Sequence, residues 1–239
     1  MTEPELAEGG LLSESGFDKL SLRYFMINDL TNPEIGRVLR ASTMGFTVGC
    51  RVGQLSTPAF GGLVKAKPVD DREAIYGLIY NMSIADDPLV RRLVLAENPP
   101  PSVINDQRRN RLLPIEMSVL AIGYTLNDDD IYHGLPPRPP LNLDPVVLCT
   151  DRDEVMEFTN RPSYLRLILR TIDSNVPVDQ LLVSHITDAY RRRGNDTAWA
   201  VSVIAELIEL LRSNFDVLIP TLEALSEALP TLPKIEIGE

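Results

Sequence analysis

Residues 127–133 read NDDDIYH, an acid cluster with a histidine beside it. Asp128, Asp129, Asp130 and His133 supply the oxygen and imidazole donors that a divalent cation would need in a metal-dependent hydrolase. Consecutive aspartates diverge, however, and the run falls between a strand pattern and a proline-rich stretch, so it reads as a solvated turn. A hydrolytic centre would also need distant carboxylates such as Asp70, Asp71 or Glu73, and nothing in the sequence orders them. His185 falls on the apolar side of a helical pattern, where a hydrogen-bonded core histidine is a simpler reading than a general base. Ser184 diverges from it by about 100° around the helix and completes no triad. No GxSxG nucleophile turn occurs, and no GxxxxGK[ST] loop, whose amides, lysine and hydroxyl would cradle nucleotide phosphates and magnesium. The expectation is therefore a non-enzyme without metal or cofactor.

Two arginine runs stand out instead: Arg108 and Arg109 with Arg111, and Arg191, Arg192 and Arg193. Guanidinium groups suit bidentate contact with carboxylates, so all six are candidate partner-binding residues. For the second run, favourable charge at a helix C-terminus before Gly194 is the competing reading. A net charge of −11 and a pI near 4.7 disfavour direct nucleic-acid binding, since there is no broad basic stripe to release counterions. Cys50 and Cys149 lie far apart without CxxC or zinc-ligand spacing and read as free, reduced core thiols. The acidic, glycine-broken start lacks a signal-peptide core, and the most apolar region, 198–211, is interrupted by Ser202, Glu206 and Glu209. A soluble cytoplasmic protein is expected.

The elements that must position these residues divide by composition. Residues 1–16 read as an acidic, disordered tail. Residues 17–134 read as a small antiparallel β-barrel, with a strand or mixed arm over 17–32. Phe46, Val48, Cys50 and Val52 alternate with polar or small residues, and Ser42 to Gly45 is short enough for an antiparallel hairpin. GGLVKAKP and AIYGLIYNMSI continue the set; in the latter either Tyr76, Leu78, Tyr80 and Met82 or Ile75, Ile79 and Ile84 face inward. Gly77 sits where a bulge or close backbone approach would be useful. DPLVRRLVLA predicts a helix with Asp86 or Asp87 as cap and Leu89, Leu93 and Val94 inward. A long strand follows at 115–124, and 103–105 is a candidate for another, giving five or six strands. Residues 135–150, with five prolines, read as an extended linker. Residues 151–229 read as an α-helical domain: a short helix capped by Thr150 or Asp151, a second ending before Pro177, an amphipathic third, and a long last helix that Pro220 should kink or split. Residues 230–239 read as a tail. The expected fold class is α+β, a small antiparallel barrel followed by an α-helical domain.

IGRVLRASTMGFTVGCRVGQLSTPAFGGLVKA, AIYGLIYNMSI, DDPLVRRLVLAEN and IEMSVLAIGYT together resemble the HAS-barrel, the small barrel of HerA-type DNA-translocating ATPases and ATP synthases. PPRPPLNLDPVVLCTDRDEVMEFT resembles the proline-rich exit of such barrels, and the likeness spans roughly residues 30–160. In that family the barrel is a collar for ring assembly and accessory docking, while catalysis belongs to a separate motor domain that this sequence lacks. The resemblance implies a protein-interaction or assembly factor docking to a larger complex, with a ring ATPase as one candidate partner. Homo-oligomerisation through the helices is a second expectation. The alternatives are an accessory subunit of a HerA-type DNA-processing machine and the metal-dependent hydrolase at residues 128–133.

Overall fold

The computed structural model describes residues 32–50, 58–68, 73–84, 86, 88–109, 115–126, 130–171 and 176–229. The expectations for residues 1–31 and 230–239, for Asp70, Asp71 and Arg111, and for residues 127–129 lie outside the described residues.

The alternating segments form a closed antiparallel barrel. Strand β1 (Glu34–Ser42) turns into β2 (Gly45–Cys50), and Ser42 Oγ accepts from Met44 N at 3.2 Å within the expected tight hairpin. Then come β3 (Leu63–Ala66), β4 (Ala74–Ile84) and β5 (Ile115–Thr125). The sixth strand, β6 (Pro145–Leu148), lies in the stretch whose prolines predict a linker. It pairs with both β1 and β3 and closes the circle in the order β1-β2-β5-β4-β3-β6. A proline is tolerated there because it occupies the first strand position. The strand expected at 103–105 is instead helical, within α2 (Pro101–Arg109). Pro101 supplies the preset φ of a first helical turn, and Pro100 O accepts from both Val103 N and Ile104 N, at 3.0 and 3.2 Å.

A single inward face for β4 was the expectation from alternation, yet this strand is buried on both sides from Ile75 to Ile79. Ile75 and Ile79 join Ile35, Val48, Val64 and Met117 inside the barrel. Tyr76 and Leu78 point outward and join Leu120 and Ile122 under the helices. Gly77 makes the change of register possible: the pairing with β5 shifts there, and an added Cβ would lie 2.4 Å from Val119 Cγ1 and 2.6 Å from Leu120 O.

The helices pack on this outer wall. Helix α1 (Pro88–Leu95) and α2 fill the β4–β5 connection, whereas α3 (Arg152–Thr159), α4 (Leu165–Thr171), α5 (Val178–Arg192), α6 (Thr197–Leu211) and α7 (Phe215–Ala228) follow β6. Asp151 is the N-cap of α3, its side chain accepting from Glu154 N at 3.0 Å. The stripes Leu181, Leu182, Ile186 and Trp199, Val203, Leu207 share a core with the barrel wall through Phe158, Tyr164 and Ile168. The long last helix is split, but at residues 212–214 rather than at Pro220. Asn214 N folds back to Leu211 O at 2.7 Å, while Pro220 lies in the second turn of α7, where only one intrahelical bond is forfeited. Both cysteines are buried and free.

Candidate protein-docking surface

The first polar constellation joins the barrel to the helices. Glu154 on α3 accepts through Oε1 from Lys65 Nζ on β3 and from Tyr76 OH on β4 at 2.9 Å, and through Oε2 from Asn32 Nδ2 at 2.6 Å. Asn32 Oδ1 in turn accepts from Thr150 N, Thr150 Oγ1 and Asp151 N. The Lys65 and Glu154 side chains are only 11% and 13% exposed. Burial and the Glu154 charge push the Tyr76 hydroxyl well up, so it stays a proton donor, and burial does the same to the Cys149 thiol. Every strong acceptor is occupied by a neighbouring element, so this cluster fixes how α3 sits on the barrel.

The histidines serve the same junction. Gly61 O can only accept, so His185 Nδ1 donates to it (3.2 Å) and Nε2 accepts from Tyr164 OH (2.8 Å). His185 is thus the hydrogen-bonded core histidine expected from its helix face. His133, half-buried against Phe158 and Tyr164, donates from Nε2 to Phe158 O at 2.9 Å and accepts at Nδ1 from Ser163 Oγ at 3.2 Å. Asp130 beside it is exposed. Among the described residues no three histidine, cysteine or acidic side chains are grouped to hold a metal.

Desolvation lowers His185 from 6.5 to about 4, and His133 shifts in the same direction for the same first cause. Above pH 6.5 the imidazole is neutral in both folded and unfolded chains and makes no difference. Between 6.5 and 4 the unfolded chain takes up a proton that the folded chain refuses, so stability falls with pH by up to about 3 kcal/mol. Urea titrations at pH 7.0 and 4.5 should show this loss, with most of the slope absent in His185→Gln. An unchanged slope in that variant would remove His185 as its source.

The arginine runs are not brought together as one surface. Arg193 is buried at the C-cap of α5: it donates to Met156 O and Thr159 Oγ1, pairs with Asp196 at 2.8 Å and lies over the Trp199 ring. It is an internal anchor, and Gly194 with φ 77° ends the helix beside it. Arg192 pairs with Asp188 one turn back, and Arg191 is exposed; both line a cavity of about 290 Å³ beside Phe60 and Thr187. Arg108 and Arg109 end α2, with backbone placement alone described.

Sequence reasoning missed the apolar surface. Val94 and Leu95 close α1 with 76% and 78% of their surface exposed, and Ile84 and Val103 on either side are exposed as well. Val94 therefore does not pack inward as its spacing predicts. The spacing marks an apolar face, but no element among the described residues covers the end of this eight-residue helix. Arg91 pairs with Asp86 at the base of this helix. The resulting feature is an insertion between β4 and β5 whose first helix closes on the exposed Val94 and Leu95 and whose second closes on Arg108 and Arg109.

The fold and this surface define a closed β-barrel with an α-helical companion. No protein-family model matches the chain, and no curated protein matches it. Among the described residues no helix is long and apolar enough to cross a membrane.

Proposed function

We propose that this chain is a non-enzymatic docking or assembly factor of the cytoplasm that attaches to a larger protein complex through its barrel. The observation that carries the reading is the exposure of Val94 and Leu95 on the β4–β5 insertion. Interface centres are apolar and interfaces are enriched in arginine, and Arg108 and Arg109 close the second helix of the same insertion. A ring ATPase is the candidate partner, on the strength of the HAS-barrel resemblance alone. Arg111 and Arg191 extend the list of contact candidates, whereas Arg193 is committed to the core.

The test is capture of the tagged full chain from its native lysate with gentle cross-linking, followed by mass spectrometry. One stoichiometric partner should be recovered by the native chain and reduced at least about tenfold by Val94→Asp with Leu95→Asp, as central interface residues require. Recovery of the chain alone, or a partner indifferent to the double variant, would sink the reading.

A further inference from the structure

The cavity of about 290 Å³ where the second half of α5 passes the turn before β3 is lined by more hydrogen-bond donors than the fold uses. Ser184, Thr187, Asp188 and Arg191 fall at the three- and four-residue steps of one helix face and line it together with Arg192. Arg192 donates from Nε to Asp188 Oδ2 at 2.6 Å, and its two terminal nitrogens have no partner among the described residues. Arg191 and the Ser184 hydroxyl have none there either. Thr187 Oγ1 is buried and unpartnered, whereas Thr159 and Thr221 donate to the carbonyl one turn back, at 2.6 and 2.7 Å. The carboxylate in this lining, Asp188, is already engaged, so the donors face the cavity without an acceptor.

A surplus of donors selects an acceptor ligand, and charge selects its class. Two guanidinium groups beside one carboxylate leave one net positive charge at the cavity. The C-terminal end of α5 brings its partial negative charge to the same place, which further limits how much negative charge the site tolerates. A carboxylate fits, because its single charge and planar pair of oxygens match a guanidinium fork. A phosphate monoester, with about −1.5 to −2 charges at neutral pH, exceeds what the site neutralises. The remaining wall is apolar and reachable: Ala59 is exposed, and Phe60 and Val183 are half-buried. The volume lies just under the roughly 300–1,000 Å³ of small-molecule sites, so it holds a single ring or a short chain behind the carboxylate and no nucleotide.

We infer that this cavity binds a small organic monocarboxylate, with Arg191 and the open end of Arg192 holding its oxygens. The Ser184 hydroxyl donates to the same group, and the apolar body lies against Phe60 and Val183. The site is on α5, apart from the α1–α2 insertion, and stands whether or not a second protein docks there.

Isothermal titration of the purified full chain with phenylacetate and with hexanoate should give saturable binding of at least one, with a dissociation constant of about 0.01–1 mM. Phenylacetamide, which keeps the shape and loses the charge, should bind at least about tenfold more weakly, and so should inorganic phosphate. Arg191→Gln changes an exposed side chain, so the urea midpoint should hold while carboxylate affinity falls at least about tenfold. Ser184→Ala should weaken it by about three- to tenfold. Arg212→Gln, at an exposed arginine after α6, should leave it unchanged and so exclude a general charge effect. No saturable binding of either carboxylate, amide or phosphate binding as tight as the carboxylate, or an affinity that Arg191→Gln leaves unchanged would overturn the inference.

Discussion

Replacing Glu154 with alanine is expected to destabilise the fold by about 3–5 kcal/mol, read as a fall in the urea midpoint at constant slope. The carboxylate neutralises Lys65 and accepts from Tyr76 and Asn32 in a nearly dry junction. Its removal leaves an ammonium charge, a phenol and an amide without their acceptor, and the desolvation already spent on them is not returned. Coulomb attraction alone is the smaller part of the effect, because two charges leaving water lose much of what their mutual attraction returns. For that reason the double variant Lys65→Met, Glu154→Leu should recover the part of the loss owed to the unpaired ammonium, while Tyr76 OH and Asn32 Nδ2 remain without their acceptor. A cost below about 1 kcal/mol for Glu154→Ala would place the cluster in effective contact with solvent and deny it the role of fixing α3 on the barrel.

Gly61→Ala carries the second large effect, about 2–5 kcal/mol. Gly61 sits at φ 81°, where an L side chain costs roughly 1–2 kcal/mol, and its Cβ would lie 2.6 Å from Ser184 Cβ and 2.8 Å from His185 N. The second neighbour is α5 backbone and cannot swing aside, so the helix must move off the barrel, adding the roughly 1–3 kcal/mol of an overpacked contact. That movement would also stretch the bond from His185 Nδ1 to Gly61 O and disturb Gly61 N, which donates to Ile79 O at 2.8 Å. Gly134→Ala is the matched control: its Cβ would meet nothing nearer than a Tyr124 ring atom at 3.9 Å. Equal midpoints for the two variants would show that the close approach at Gly61 is not limiting.

These two sites show where reading the sequence stops. Alternation in β2, the hairpin at Ser42 to Gly45 and the strand at 115–124 were legible because a two-residue period is local and each strand carries it alone. The cap at Thr150 or Asp151, which the structure gives to Asp151, and the helix end at Gly194 were legible for the same reason, since a cap needs only its own turn. β6 was not: four residues that begin with a proline have no period to speak of, and only the free edges of β1 and β3 make them a strand. Nor was the double-sided burial of β4, because periodicity reports which residues alternate and not how many layers surround them. Val94 is the converse case, an apolar helix position for which no covering element exists among the described residues. The arginine triplet at 191–193 reads as one patch in sequence, yet α5 directs Arg191 outward and Arg193 into the core against Trp199.

By itself, then, the sequence determined the class: strands first, helices after, an acidic chain with buried thiols and a core histidine. These follow from local periods, composition and turn chemistry, each decided by neighbours a few residues away. The tertiary structure decided the closure of the barrel, the Lys65–Glu154 junction and which apolar residues stay exposed. Each of these depends on groups brought together across up to about a hundred residues of chain, where the outcome is set by who else occupies the space, a quantity no local pattern contains.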